Sequence, residues 1–317
     1  MNGQRTVFNS TRNFSTIAIA FAIIISALFN QLISANNLNW QVFLAIIALA
    51  IGIPHGAVDH LVALPQTSKP KLAILIIGYV AIAAISVLAI LHWNVLGFQL
   101  ILLMSVLHFG FGDAAFISEK DTLDNREKMG FWTQAIFAVT SGAVPVLIPL
   151  TKGASSGALN TINPKLVNWS QNFDTQLKFF IYLFLALSIV LLIHSNRYRE
   201  LIDLIFLSGL ATVAPPLIAF AFYFGCWHAM RHTARLTLLL PKSKVAATNN
   251  LAKKSFGYAV IPGLPALFGT VLVALAIFLR DTSSIDASYL WYLLVVVWAL
   301  TVPHMIVTSK IDRQALA

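Results

Sequence analysis

Ten apolar runs follow one another along the chain, most of them close to the ~20 residues a helix needs to cross the hydrocarbon of a bilayer. They fall at about 14–33, 38–64, 71–91, 95–117, 129–150, 174–193, 199–213, 216–240, 257–279 and 288–308. Of the 317 residues, 58% are hydrophobic and only 10% charged, whereas a soluble domain usually carries about 25% charge. The surface of such a chain must face lipid. The expectation is an all-α, polytopic membrane bundle of about ten transmembrane helices, with residues 1–317 as one transmembrane domain.

The weakest of the ten runs is the seventh, which is short and meets Pro215 and Pro216 at its end. Proline breaks a helix there, so the pair reads as a turn between two spans. The first run ends at the Ala-containing stretch Leu32, Ile33, Ser34 and Ala35, which raises the alternative of a cleaved signal. It exceeds the roughly 7–15 residues of a signal core and is read as a span.

Basic residues test the count. With ten spans, one side receives 15 of the 21 Lys and Arg, including Arg5, Arg12, Lys69 and Lys310, while the other receives Lys152, Lys165, Lys178 and Arg280. That bias places both termini in the cytoplasm, and the expected location is the inner (plasma) membrane, as a multi-pass protein. The formal charge of +9 therefore reports topology and not nucleic-acid binding, because no basic domain exists to hold it. Cys226 is the single cysteine, which excludes an intrachain disulfide and a thiolate metal cluster. The one long connection, 151–173, is rich in Ser, Asn, Gly and Thr and carries no chemical motif.

Eight histidines remain to be explained. His92 and His194 sit at helix ends and read as interfacial. The other six lie inside spans two, four, eight and ten, all running from outside to inside. His55, His108, His228 and His232 fall between half and two thirds of the way through. His60 and His304 follow about a turn deeper. Ionisable residues within a membrane mark function by default, and four helices with histidines at one level suggest a shared metal. His228 and His232 are i and i+4, which puts two imidazoles on one helix face. His55 and His60 are i and i+5, about 140° apart on an ideal helix, so both are not expected on one ion. The ligand set read from position is His55, His108, His228 and His232, with His60 and His304 as supporting or alternative ligands. Neutral imidazole suits Fe, Cu, Zn and Ni, so the donor type leaves the ion open.

Asp59, Asp113 and Arg231 share this depth. Ligating histidines usually pass their second N–H to a carboxylate, which Asp59, on the face of His55, or Asp113 can accept. An Arg231–aspartate ion pair is the compatible structural reading. Arg235, a turn nearer the cytoplasm, is expected to snorkel. Phe109, Phe111, Tyr223, Phe224 and Trp227 crowd the same segments and read as core or as the wall of an oily substrate's tunnel.

The segments Gly52–Ile–Pro–His–Gly–Ala–Val–Asp–His60, Leu107–His–Phe–Gly–Phe–Gly–Asp113, Trp227–His–Ala–Met–Arg–His232 and Val302–Pro–His–Met305 resemble, in order, those of the Brp/Blh family of bacterial and archaeal membrane β-carotene 15,15'-dioxygenases. The resemblance runs from about residue 40 to the C-terminus. It implies that His55, His108, His228 and His232 match the family's iron-binding histidines, with Fe(2+) as cofactor. The implied reaction cleaves the central double bond of β-carotene with O2 to give two molecules of all-trans-retinal. Rival readings are a metal or proton transporter, a non-catalytic metal or haem carrier, and a di-iron hydroxylase. Spans three, six and nine offer almost no polar path for a transporter. Six intramembrane histidines exceed the need of one haem, and the short histidine clusters of a di-iron enzyme are missing.

Overall fold

The computed structural model describes residues 2–29, 38–64, 68–153, 155–281 and 289–317. The stretch Leu32–Ala35 lies outside them. Among the described residues there is no strand; the chain is a succession of helices. The apolar runs become α1 (Asn2–Leu28), α2 (Asn39–Gly56) with the short α3 (Asp59–Ala63), α4 (Lys69–His92), α5 (Asn94–Asp124) and α6 (Phe131–Leu147). After them come α7 (Ser155–Ile162), α8 (Asp174–His194), α9 (Tyr198–Val213), α10 (Pro216–Ala221) and α11 (Ala229–Leu239). The last helices are α12 (Pro241–Thr248), α13 (Ala252–Val260), α14 (Leu264–Asp281) and α15 (Tyr289–Leu316).

Seven of these segments are long and apolar enough to cross a membrane. Over their described residues the other three expected spans are also largely helical, and they miss that measure for local reasons. Helix α6, at 17 residues, is stopped by the turn at Pro149, and α9, at 16, by the Pro215–Pro216 pair. The third is the continuous stretch from α10 to α11, which carries two histidines and two arginines in its middle.

Helix α5 forms the axis of the bundle, packed against α6, α4, α15, α11 and α1. Its crossing with α6 is backbone on backbone: a Cβ on Gly110 would lie 1.8 Å from the Ala138 carbonyl oxygen, and one on Gly142 2.0 Å from that of Val106. Helices α4, α8 and α14 lie at the rim and turn wide apolar faces outward. The long connection over 151–173 is itself folded in its described residues. Pro149–Thr151 and Pro164–Leu166 form 3-10 turns around α7, and Ala158, Leu159, Ile162 and Leu166 are buried against the bundle.

Two arginines differ from their expected places. Arg12 lies within α1, buried, and pairs with Glu200 and Asp203 of α9, each at 2.9 Å. Arg235 does not snorkel: it is 1% exposed and paired with Glu119 at 2.9 Å and Asp312 at 2.6 Å. Both arginines had carboxylate partners on distant helices, which the local sequence does not reveal.

Candidate metal centre

Four helical segments bring five imidazoles to one place. Between α10 and α11 the helix widens into a π-helix, Phe222–His228, and the Ala229 N–H donates to the Phe224 carbonyl five residues back. Such widened turns concentrate at functional sites. His228 closes this turn and His232 follows on α11, their ring centroids 6.0 Å apart. His55 enters from the last turn of α2, where the helix stops at Gly56 before α3 begins. That break separates His55 from His60. His108 comes from the middle of α5 and His304 from α15, immediately after Pro303.

The rings pack edge to face. His55 lies 5.3 Å from His228, 5.0 Å from His232 and 5.4 Å from His304, centroid to centroid. His108 lies 4.9 Å from both His228 and His304. One nitrogen each from His55, His108 and His228 falls within 4.8 Å of the others, a spacing that can hold a metal ion. His304, expected a turn deeper, stands level with them, 5.4 Å from His232. His60 is half-buried and lines the adjoining cleft, its ring outside this set. His92 and His194 end α4 and α8 and are exposed.

Hydrogen bonding fixes which nitrogens stay free. His55 Nδ1 donates to the Gly52 carbonyl, leaving Nε2 as the lone-pair atom. His304 Nδ1 donates to Asp59 Oδ2 at 2.8 Å, and the carboxylate also accepts from the Tyr79 hydroxyl at 3.0 Å. Asp59 thus supports His304, although its i+4 position pointed to His55. His108 Nδ1 lies 3.5 Å from Thr308 Oγ1. The Nε2 atoms of His228 and His304 and the Nδ1 of His232 are buried with no hydrogen-bond partner among the described residues. A buried polar atom without a partner is costly. Three such nitrogens beside two further imidazoles form an all-nitrogen donor set that a metal would satisfy.

Asp113 has a different task. It accepts from Trp227 Nε1 at 2.8 Å and faces Arg231 at 3.7 Å. Arg231 lies 3.4 Å over the Trp227 ring and pairs with Asp203 at 3.1 Å. Arg12, Glu200, Asp203, Arg231 and Asp113 form a buried ionic chain behind the histidines. Asp203, Glu200, Tyr79 and Thr308 were not singled out from the sequence. Glu200 and Asp203, an acidic pair in the first turn and a half of the seventh run and unusual in so apolar a segment, were the available signal.

Of the aromatic residues, Phe109 lies 4.2 Å from the His228 ring, 5.6 Å from Tyr223 and 6.1 Å from Phe224. Gly52 lets Phe224 approach, since a Cβ there would come within 2.1 Å of its ring. Phe111 instead turns outward, 36% exposed, and Trp227 is absorbed by Asp113 and Arg231. A cleft opens at His55, His108 and His304, and a second adjoins it at Phe109 and Phe224.

Membrane-type helices around buried, partnerless imidazoles define a helical membrane protein with a candidate metal centre. A family model described as β-carotene 15,15'-dioxygenase matches residues 46–312, and the chain belongs to that family. It is 29% identical over 276 residues to a β-carotene 15,15'-dioxygenase from the uncultured marine bacterium 66A03, covering 83% of this chain and 90% of the relative. It is 24% identical over 311 residues to a probable β-carotene 15,15'-dioxygenase Blh from Halobacterium salinarum, covering 84% and 82%. No solved structure matches.

Proposed function

We propose that this chain cleaves β-carotene at its central 15,15' double bond, using O2 and iron, to release two molecules of all-trans-retinal. The observation that carries the reading is the set of buried, partnerless imidazole nitrogens of His228, His232 and His304, the last of which lines a largely apolar cleft together with His55 and His108. His55, His108, His228 and His232 are the proposed ligands, with His304 as a further nitrogen held in place by Asp59. Ferrous iron there supplies the one-electron chemistry that lets O2 react with a closed-shell alkene.

The protein's part is to hold and exclude. The imidazoles are neutral donors whose tautomers are set by Gly52 and Asp59. Phe109 and Phe224 present flat apolar faces on which a polyene can lie. The overall change breaks one carbon–carbon double bond and forms two carbonyls, O2 being the oxidant, and needs no external reductant. No general base is required, and the carboxylate at the site, Asp59, is already paired with His304. Both substrate and product dissolve in lipid, which gives a reason for the centre to lie at membrane depth. In this reading the chain spans the plasma membrane ten times with both termini in the cytoplasm.

The direct test supplies the purified, iron-loaded protein with β-carotene in detergent and air. Retinal appearing with consumption of O2 supports the reading. Intact carotene with an occupied metal site rejects it.

A further inference from the structure

The two clefts that meet at the histidines differ in what surrounds them. The first, which His55, His108 and His304 line, reaches the lipid-facing surface. Ile76 and Val80 of α4 form part of its wall and are 46% and 59% exposed, and Ala266 of α14, also in its lining, is exposed. The second has no exposed residue in its lining. The two share Phe109, Phe224, Val297 and Thr301.

The second cleft runs back along the helices that carry the histidines. On α15 it extends from Thr301 through Val297 and Leu294 to Leu290, fourteen positions before His304, about 21 Å at 1.5 Å per residue. On α5 it reaches Phe98, ten positions before His108, and on α2 Ala45, ten before His55, about 15 Å each. Its far end is lined by buried residues where α10 and α15 begin, at Pro216, Leu217 and Leu290, and by Ala158 and Leu159 of α7.

From this geometry, and resting on the proposed carotenoid cleavage, we infer that the closed cleft is a ruler that selects the bond to be cut. A long polyene enters from the bilayer between α4 and α14, passes Phe109 and Phe224, and advances until its leading ring meets the blind end beneath α7. The depth of that end sets which double bond stops at the histidines. For a symmetric carotenoid whose half-length fits the cleft, that bond is the central one, and the two aldehydes are identical. Selectivity for the centre then lies about 15–21 Å from the metal, in apolar residues that touch no ligand.

The test changes the depth of the end without touching the histidines. Ala158→Trp fills it and Leu159→Ala deepens it. Each variant is expressed in a β-carotene-accumulating bacterium, the pigments are separated by chromatography, and iron content is measured on the purified protein. With iron retained, both variants are expected to give pairs of aldehydes of unequal length in place of part of the retinal. Retinal as the sole product of both, at the wild-type rate, overturns the ruler and leaves the reaction intact. Loss of all turnover in a folded, iron-loaded Ala158→Trp counts for the ruler only if a carotenoid already truncated at one end is still cleaved; if it is not, the ruler fails. Should Ala158→Trp not fold, Leu159→Ala decides alone by its product lengths. A wild-type chain that leaves β-carotene whole refutes the underlying reaction, an outcome distinct from the others.

Discussion

His304 donates its Nδ1 proton to the carboxylate of Asp59, 2.8 Å away and 245 positions earlier in the sequence. The bond joins the C-terminal helix to the short helix after His55 and aims the free Nε2 of His304 among the other rings. A carboxylate behind a ligating imidazole orients it and raises its basicity. Asp59→Asn keeps the shape and removes the charge. Iron retention should fall about 10–100-fold against a competing chelator, while thermal stability of the iron-free protein changes little. An unchanged affinity would remove His304 from the metal set and leave Asp59 a packing partner of Tyr79.

His228 occupies the centre of the ring cluster, in contact with Phe109 and with His55 and His108. His228→Ala should abolish bound iron and turnover together, whereas His304→Ala should lower iron occupancy without abolishing it. Metal analysis of the two purified variants distinguishes them. Full iron content in His228→Ala would contradict the proposed ligand set.

Much of this arrangement was legible in the residues. Apolar length and the scarcity of charge set the class of fold, and the shared depth of His55, His108, His228 and His232 pointed to a common site before any coordinates. What escaped was long-range or non-ideal. Helical phase alone cannot foresee the π-helix at Phe222–His228, because one extra residue per turn shifts every side chain that follows. Asp59 sits i+4 from His55, yet the break at Ala57 and Val58 re-aims it towards α15. Arg12 and Arg235 read as boundary residues because their acidic partners lie 188 and 116 positions away.

The ionic chain behind the clustered histidines is structural. Arg12 neutralises Glu200 and Asp203, both fully buried. Removing one partner of a buried pair strands the other charge and costs about 3–5 kcal/mol. Arg12→Met should therefore lower the unfolding temperature in detergent sharply, with the iron content of the folded fraction unchanged. Wild-type stability in that variant would show that the carboxylates have another source of compensation.

Glycines provide a paired test of packing. Gly110→Ala drives a methyl group into the backbone of α6, which has no side chain to move aside, and should cost about 1–3 kcal/mol or more. Gly78 on α4 has open space around it, and Gly78→Ala should stabilise the helix by about 0.5–1 kcal/mol. Melting curves of the two variants in one detergent check both signs. Equal effects would mean that α5 and α6 do not cross as closely as described.

The most direct measurement expresses the chain in a β-carotene-accumulating bacterium, beside His228→Ala, and extracts the membranes for chromatography. Carotene is expected to disappear and retinal to accumulate with the wild-type chain, while the variant, present in the membrane at the same level, leaves the carotene untouched. Persistent carotene with an iron-loaded wild-type protein, or retinal formed equally by the variant, would contradict the proposed function.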